Sequence, residues 1–437
     1  MEAEQLLSLA KKVAEEAEVF QVHSRRISVQ FEANRLKQIQ QQETTATALR
    51  LIKEGKIGFS AVGGEVEAQT LVGMAVETSQ FGTPANFVFP SASVYPNVET
   101  FDPETEKVPI EKMVDIGEGL VAQLTEYTPD ILCEGVIAKE VRQTRILNSK
   151  GGEVGYLKSL FSISLEGVVI RDTDMLFVGD SESSCRPEVD EKTIAKRVIE
   201  QLELARRKAS VSTKLMPVIF TPRGTASAFI VPLMVAFNGK LVLEGASPLR
   251  NRQGEEVFDK KFSLWDDATI PYRPTSRPCD DEGVASQSTL LVEGGKVINF
   301  LYDLQTAALA KTRSTGNGNR SRGTLPAPSA SCLILNEGNV SFNDMVKDMK
   351  EGLVVEQLIG AEQGNVLGGD FSGNVLLGYK VEAGEIVGRV KDTMVAGNVY
   401  QVLKNLEAVS KERRWIGAVL LSPALYCPSL SVATKVG

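Results

Sequence analysis

The sequence predicts an α+β protein in two parts, and three observations predict it. In the first half, helical spacing and two-residue alternation follow one another in the order helix, meander, helix, helix, hairpin, helix, which places helices on an antiparallel sheet. After a polar stretch at 208–214 the chain starts again with a strand. The last third carries Gly360, Gly364, Gly368, Gly369, Gly373, Gly378, Gly384, Gly388 and Gly397 between short apolar runs. Repeated glycine there predicts a strongly curved antiparallel sheet or partial barrel, in which backbones approach closely. The expected division is an N-terminal α+β domain over residues 1–207 and a C-terminal β-rich domain over 215–437. A chain of 437 residues suffices for two or three cores.

The elements follow from local pattern. Leu6, Leu7, Ala10, Val13, Ala14 and Ala17 form an apolar stripe, so residues 4–18 predict a helix. Residues 19–31, 34–51 and 56–62 alternate, with Asn34 in the first turn and Glu54-Gly55 in the second, and predict a meander of long strands. Residues 65–79 predict a helix covering it. Four prolines and Phe87, Phe89, Tyr95 and Phe101 make 84–103 an extended surface segment. Residues 110–127 predict a helix, 131–147 and 154–178 strands about Asn148–Gly152, and 190–207 a helix. In the second half, 216–220 predict a strand and 226–237 a buried apolar helix interrupted at Pro232. Residues 249–256 and 266–278 read as loops, and 288–301 as a hairpin about Gly294-Gly295. Strands are expected at 332–335, 354–359, 374–381, 385–390, 416–421 and 429–434, with helices at 341–350 and 400–409.

Composition excludes several functions. Hydrophobic content of 43% and charged content of 24% are ordinary for a soluble globular protein. The net charge of −8 argues against a general attraction to nucleic acid or anionic lipid. No apolar run reaches membrane-spanning length, and the Glu-rich start lacks the layout of a signal peptide, so a cytoplasmic location is expected. Five scattered cysteines without a Cys-x-x-Cys pair read as reduced, buried thiols. The single histidine, His23, is the sharpest constraint: a zinc site needing two imidazoles cannot be built from one copy of the chain. His23 itself reads as a residue on a sheet surface.

The oddest local chemistry lies at 311–323. Gly316, Asn317, Gly318 and Asn319 can adopt positive φ, and Lys311, Arg313, Arg320 and Arg322 surround them. Such a loop either offers backbone donors and guanidinium forks to a carboxylate, a phosphate or an extended peptide, or is a solvated surface loop. It fits neither a Walker loop nor a dinucleotide fingerprint. Asp280-Asp281-Glu282-Gly283 reads as an exposed acidic turn rather than a cation site. Glu356, Glu362 and Asp370 are carboxylates without a defining spacing, Cys332 lies in an apolar strand, and no Gly-x-Ser-x-Gly elbow occurs. From the residues alone no catalytic set stands out.

Four segments carry a resemblance. They are the strand with Val22, Ser24 and Arg25 leading to Lys56-Ile57-Gly58-Phe59; Ser314-Thr315-Gly316-Asn317-Gly318; Gly352–Gly360 followed by Gly369-Asp370-Phe371-Ser372; and Val381–Ile386 followed by Met394–Asn398. In this order the chain resembles the TldD/PmbA family, also called peptidase family U62 and "modulator of DNA gyrase", over nearly its whole length. That family has a TldD type, with His-Glu-x-x-x-His on a helix and metallopeptidase activity, and a PmbA (TldE) type that lacks the motif and pairs with the first. Here Ile230, Val231 and Val235 stand about where the metal-binding type has His, Glu and His. The resemblance therefore implies a PmbA-type chain with no catalytic or metal residue and no cofactor of its own, zinc being expected in a TldD-type partner.

The implied function is a non-catalytic partner subunit of a zinc metallopeptidase in peptide processing or degradation. The alternatives are a homodimeric peptide-binding or scaffold protein, and an indirect modulator of DNA gyrase without direct nucleic acid contact. On the first reading Thr315, Gly316, Asn317, Gly318 and Arg320, together with Gly369 and Asp370, are expected to line a peptide path at a subunit interface. Replacing Asn317 or Arg320 is then expected to weaken processing without unfolding the chain.

Overall fold

A computed structural model describes residues 2–321 and 323–434. Arg322 of the cationic loop lies outside the described residues. The first helix, α1 (Ala3–Ala10), buries Ala3, Leu6 and Ala10. It ends well before the expected residue 18. The apolar spacing continues to Ala17, but the Glu15 N–H already donates to Ile52 O at 2.9 Å, and sheet pairing takes over from there. The strand β1 (Glu16–Glu32) pairs Glu16 with Ile52 and Glu18 with Arg50 of β2 (Arg35–Lys53). With β3 (Lys56–Gly63) these form the expected meander. Its turns place Ala33, Asn34, Glu54 and Gly55 at φ of 47°, 68°, 53° and 70°, the backbone twist that two-residue hairpins require. The next helix, α2 (Ala68–Ser79), lays Leu71, Val72 and Ala75 on Leu49 and Leu51.

The segment after α2 differs from its expected surface course. Phe87 and Phe89 are buried against Ile52 and Ile57. The short α3 (Pro103–Lys107) is capped by Asp102, whose side chain accepts from Glu104 N. The helix α4 (Ile110–Tyr127) has the predicted bounds and buries Met113, Ile116, Leu120, Val121 and Leu124. Three long strands follow, β4 (Ile131–Asn148), β5 (Glu153–Arg171) and β6 (Asp174–Ser184), then α5 (Glu191–Leu204). The sheet order is β3-β2-β1-β4-β5-β6, antiparallel throughout. One core joins α4 and α5 to Val29, Ile137, Phe161 and Ile163 of this sheet.

The second sheet begins with β7 (Lys208–Ala209) and β8 (Lys214–Phe220). Then come α6 (Pro222–Ala236), α7 (Gly239–Leu243), β9 (Leu264–Asp267), β10 (Ser288–Glu293), β11 (Lys296–Val297) and α8 (Leu304–Leu309). The pair β12 (Gly318–Asn319) and β13 (Ala327–Pro328) stands apart. The rest is β14 (Leu333–Leu335), α9 (Phe342–Asp348), β15 (Glu351–Ile359), a single 3₁₀ turn at Ala361–Gln363, β16 (Asp370–Glu382), β17 (Glu385–Val390), β18 (Thr393–Asn398), α10 (Val399–Lys404), β19 (Ala408–Ile416) and β20 (Leu420–Thr434).

The expected curved sheet closes on itself. β20 pairs with β8, β8 with β15, β15 with β16, β16 with β18, and β18 returns to β20. Most pairs are antiparallel, while β8–β15, β14–β20 and β7–β17 are parallel. The strand β18 was not expected, and β9 occupies the start of an expected loop. The expected helix over 400–409 stops at Lys404, because Ala408 and Val409 pair with Tyr426 and Leu425.

Alternation along the ring sorts side chains to two faces. Val218, Phe220, Leu353, Val355, Phe371 and Val395 share a core with Phe229 and Leu233 of α6, and Phe229 meets Phe371 at 5.5 Å between ring centroids. Ile219, Val354, Leu377 and Tyr379 face the other way, onto Met345 and Met349. The helix α6 is seated by Thr221, whose hydroxyl accepts from Gly224 N at 3.2 Å. At Gly224 the helix touches the barrel backbone: a Cβ there would lie 2.2 Å from Val355 O. Gly224→Ala therefore costs about 2–3 kcal/mol through overpacking, although alanine is the better helix former by about 1 kcal/mol. Urea unfolding of the variant checks this; an unchanged or raised stability would contradict the close seating of α6.

Candidate functional site

The loop 314–320 and the acidic turn 280–283 meet in the interior, where the two sheets join. Neither is the exposed segment that its composition suggests. Asp280 and Glu282 are fully buried, and Asn317 is only 2% exposed. The loop is shaped by Asp303, which caps α8, and by Thr315, whose hydroxyl accepts from Tyr302 N at 2.8 Å. Gly316 has φ 73° and passes close over Ala285 O, where a side chain would collide. The Gly318 N–H donates to Asp280 Oδ2 at 2.8 Å, and the Arg320 N–H to Asp281 Oδ2 at 2.7 Å. The Asn317 amide donates to Asp266 Oδ2 at 2.6 Å and to Ser329 O at 3.0 Å.

A chain of buried charge runs through this junction. The Arg320 guanidinium pairs with Glu18 on β1. Glu18 also pairs with Arg50 on β2 at 3.0 Å, and Arg50 with Glu282 at 2.6 Å. The second Glu282 oxygen accepts from Leu304 N at 2.7 Å, at the start of α8. Phe87 and Phe89 hold Arg50 at 4.8 and 4.9 Å from their ring centroids, and Phe20 lies 5.2 Å from Arg320. Burial pulls the Arg50 guanidinium down, yet Glu18 and Glu282 outweigh it and hold it above its ordinary value. Glu18, Arg50 and Glu282 carry no motif. Only their partners, far away in sequence, identify them.

The predicted peptide-path residues thus separate into two groups. Thr315, Gly316, Asn317, Gly318 and Arg320 belong to the interior junction. Gly369 and Asp370 open β16: Gly369 has φ 82° and packs on the Tyr400 ring, and Asp370 is exposed, with Oδ1 accepting from Asn398 at 2.8 Å. Among the described residues no hydrogen bond or ion pair joins the groups. The burial of Asn317 and Arg320 changes the expected outcome of replacing them, since each would leave a buried carboxylate short of one partner, Asp266 keeping Ser331 and Glu18 keeping Arg50. Ile230 and Val235 are half-buried on α6, and Val231 is 41% exposed. His23 sits on β1, far along the sequence from α6, with Nδ1 3.1 Å from Thr45 Oγ1 and Nε2 3.2 Å from Glu43. Cys332 is buried as expected, which raises its thiol pKa.

Two predictions follow from the junction. Glu18→Gln leaves Arg320 and Arg50 short of a carboxylate and costs about 3–5 kcal/mol, measured by denaturant unfolding; a loss below 1 kcal/mol would mean water enters the junction. The second concerns pH. Burial first, and Glu282 second, push the Asp303 carboxyl up to about 6. They push Asp280 up to about 8, against the backbone N–H groups that favour its ionised form. A raised carboxyl holds its proton longer in the folded state, so its contribution to stability falls as pH climbs from about 4 to the folded value. In Asp303→Asn the cap oxygen that accepts from Thr306 N and Oγ1 is kept and the titration is lost. The variant then gains on the parent by up to about 3 kcal/mol between pH 4 and pH 7. A constant difference across that range would refute the assignment.

Comparison with known proteins bears on the whole chain. The family model described as the PmbA/TldA metallopeptidase C-terminal domain matches residues 213–434, and that described as domain 1 matches residues 17–77. A Methanocaldococcus jannaschii protein, MJ0231, is 28% identical over 92% of this chain and 94% of its own length. The Haemophilus influenzae metalloprotease PmbA homolog is 28% identical over 61% of this chain and 57% of its length. TldE from Thermococcus kodakarensis shares the fold with a TM-score of 0.89 at 23% identity, covering 98% of this chain and 99% of that one. A Thermotoga maritima protein described as a modulator of a DNA gyrase does so with a TM-score of 0.90 at 22% identity, over 98% and 99%. With half of its residues matched by the C-terminal model and its strands closed in the barrel described above, the chain belongs to the TldD/PmbA metallopeptidase family.

Proposed function

We propose that the chain is the non-catalytic partner subunit of a TldD-type zinc metallopeptidase that processes or degrades peptides. The observation that carries this reading is the accessible side of α6. The helix is placed on the barrel as a rigid element, capped by Thr221 and locked at Gly224. About where the resemblance places the family's His-Glu-x-x-x-His it presents Ile230, Val231 and Val235, none of which can bind a metal or move a proton. The single histidine is on β1. The scaffold of a peptidase is thus kept while its chemistry is absent from this helix.

What replaces the chemistry is apolar surface. Val231 is exposed, and beside the turn that packs on α6 so are Ile359 and Leu367. A partner subunit is a natural cover for such a patch. In this arrangement the exposed Asp370, at the strand start after the buried Gly369, contributes to the peptide path.

Zinc content and peptidase activity test the reading, measured on the chain alone and after mixing with a His-Glu-x-x-x-His relative. The lone chain is expected to bind no stoichiometric zinc and to cleave nothing, and mixing is expected to yield activity. Val231→Asp, a surface change worth at most about 0.5 kcal/mol to the fold, is expected to lower complex formation at least tenfold. Cleavage by the lone chain with bound zinc, or full assembly of Val231→Asp, would overturn the proposal.

A further inference from the structure

A cleft of about 240 Å³ opens at the other junction of the two halves, between β6 and β19. Its walls carry Arg197, Arg273, Arg413, Arg414, Glu182 and Trp415. Asp180, buried at its edge, accepts from Arg197 at 3.1 Å and from Arg414 at 3.0 Å. Glu182 accepts from Arg197 at 2.6 Å. Arg413 pairs with the half-exposed Glu337 at 2.5 Å. Behind Arg414, Glu356 faces Arg414 and Arg223, and Arg223 donates to Gly179 O.

Arg273 has no such partner. Its guanidinium lies 4.0 Å from the Trp415 ring and, among the described residues, donates only to Gly417 O, at 3.4 Å. It pairs with no carboxylate among the described residues and feels Glu182 only at longer range. Its Nε is buried without an acceptor, as is that of Arg414. A buried donor left without an acceptor costs free energy, and a planar guanidinium held flat by an indole keeps its edge free for a two-point contact. Counting Arg223 behind the four arginines of the wall, five guanidinium groups face the four carboxylates Asp180, Glu182, Glu337 and Glu356, so one positive charge is unmatched. A singly charged anion balances it, and a doubly charged one overshoots. The volume admits a residue-sized group and excludes a nucleotide.

We propose that this cleft binds a small carboxylate, the free C-terminus of a short peptide, with Arg273 as its guanidinium fork, Arg413 as a second cation released from Glu337, and Trp415 as the wall. The inference concerns the lone chain and does not require a partner subunit. Its test is titration calorimetry of the full chain with trialanine, trialanine amide and inorganic phosphate. Fluorescence of Trp415 is read in parallel in a Trp265→Phe background. The free acid is expected to bind saturably and change the fluorescence, with the amide and phosphate at least tenfold weaker. Arg273→Gln and Arg413→Gln should each weaken binding at least tenfold with unaltered circular dichroism. Should Arg273→Gln fail to fold, the more exposed Arg413→Gln carries the test. The proposal falls if trialanine does not bind, if its amide binds as well, if phosphate binds as tightly, or if the arginine variants bind unchanged.

Discussion

The chain of buried charge from Arg320 through Glu18 and Arg50 to Glu282 ties the molecule together. Two of its members come from the first meander and two from loops of the second half. Each is closed off from water, and in that setting an unpaired charge is far costlier than a surface pair is useful. The two halves therefore fold into one arrangement or leave charge stranded. Other links join the two halves as well. Arg389 on β17 reaches Asp174 on β6, Arg414 on β19 reaches Asp180, and Tyr95 donates to Gly283 O at 3.1 Å. The orientation of the barrel on the first sheet is set by these polar contacts more than by a shared apolar core.

That arrangement explains why the glycine–asparagine loop is chemically odd. Its backbone must pass between Ala285 and the buried acidic turn and deliver N–H groups to Asp280 and Asp281. Gly316 and Gly318 are required because Ala285 O and the Glu282 side chain occupy the space a Cβ would take. The same loop positions Asn317 against Asp266 on β9 and so fixes β9 beside β14. A segment that resembles a ligand-receiving loop thus has a structural use that accounts for Gly316, Asn317, Gly318 and Arg320.

Much of the architecture was legible in period and punctuation. The meander, its two positive-φ turns and the bounds of α4 follow from alternation, the turn residues Asn34 and Gly55, and a 3.6-residue stripe. The curved second sheet follows from glycine density. The failures share a cause. The first helix is shorter than its stripe predicts, because Val13, Ala14 and Ala17 keep a helical spacing while the pairing of Glu16 with Ile52 is set by a strand far ahead in sequence. The acidic turn reads as exposed because charge is ordinarily solvated; Glu18 and Arg50 of the meander, which pair with Arg320 and Glu282, permit its burial and that of the loop. The candidate site shows the same limit. Ile230, Val231 and Val235 could be placed by family resemblance, whereas Glu18, Arg50 and Glu282 have no local signature.

The two junctions differ in one respect that bears on function. In the first, every carboxylate meets a guanidinium or a set of N–H groups, and the apolar rings of Phe87 and Phe89 close over Arg50. Its charges are paired, although Arg50 Nε, Arg320 Nη1 and Asn317 Oδ1 are left without hydrogen-bond partners among the described residues. In the second, Arg273 is held by an aromatic ring with no counter-charge, beside a cleft open to solvent. A fold that neutralises buried charge so thoroughly at one seam gains nothing in stability from leaving a guanidinium unmatched at the other. An unmet cation at a preformed cleft is what recognition of an anion requires, because the site's desolvation and geometry are already set before the ligand arrives.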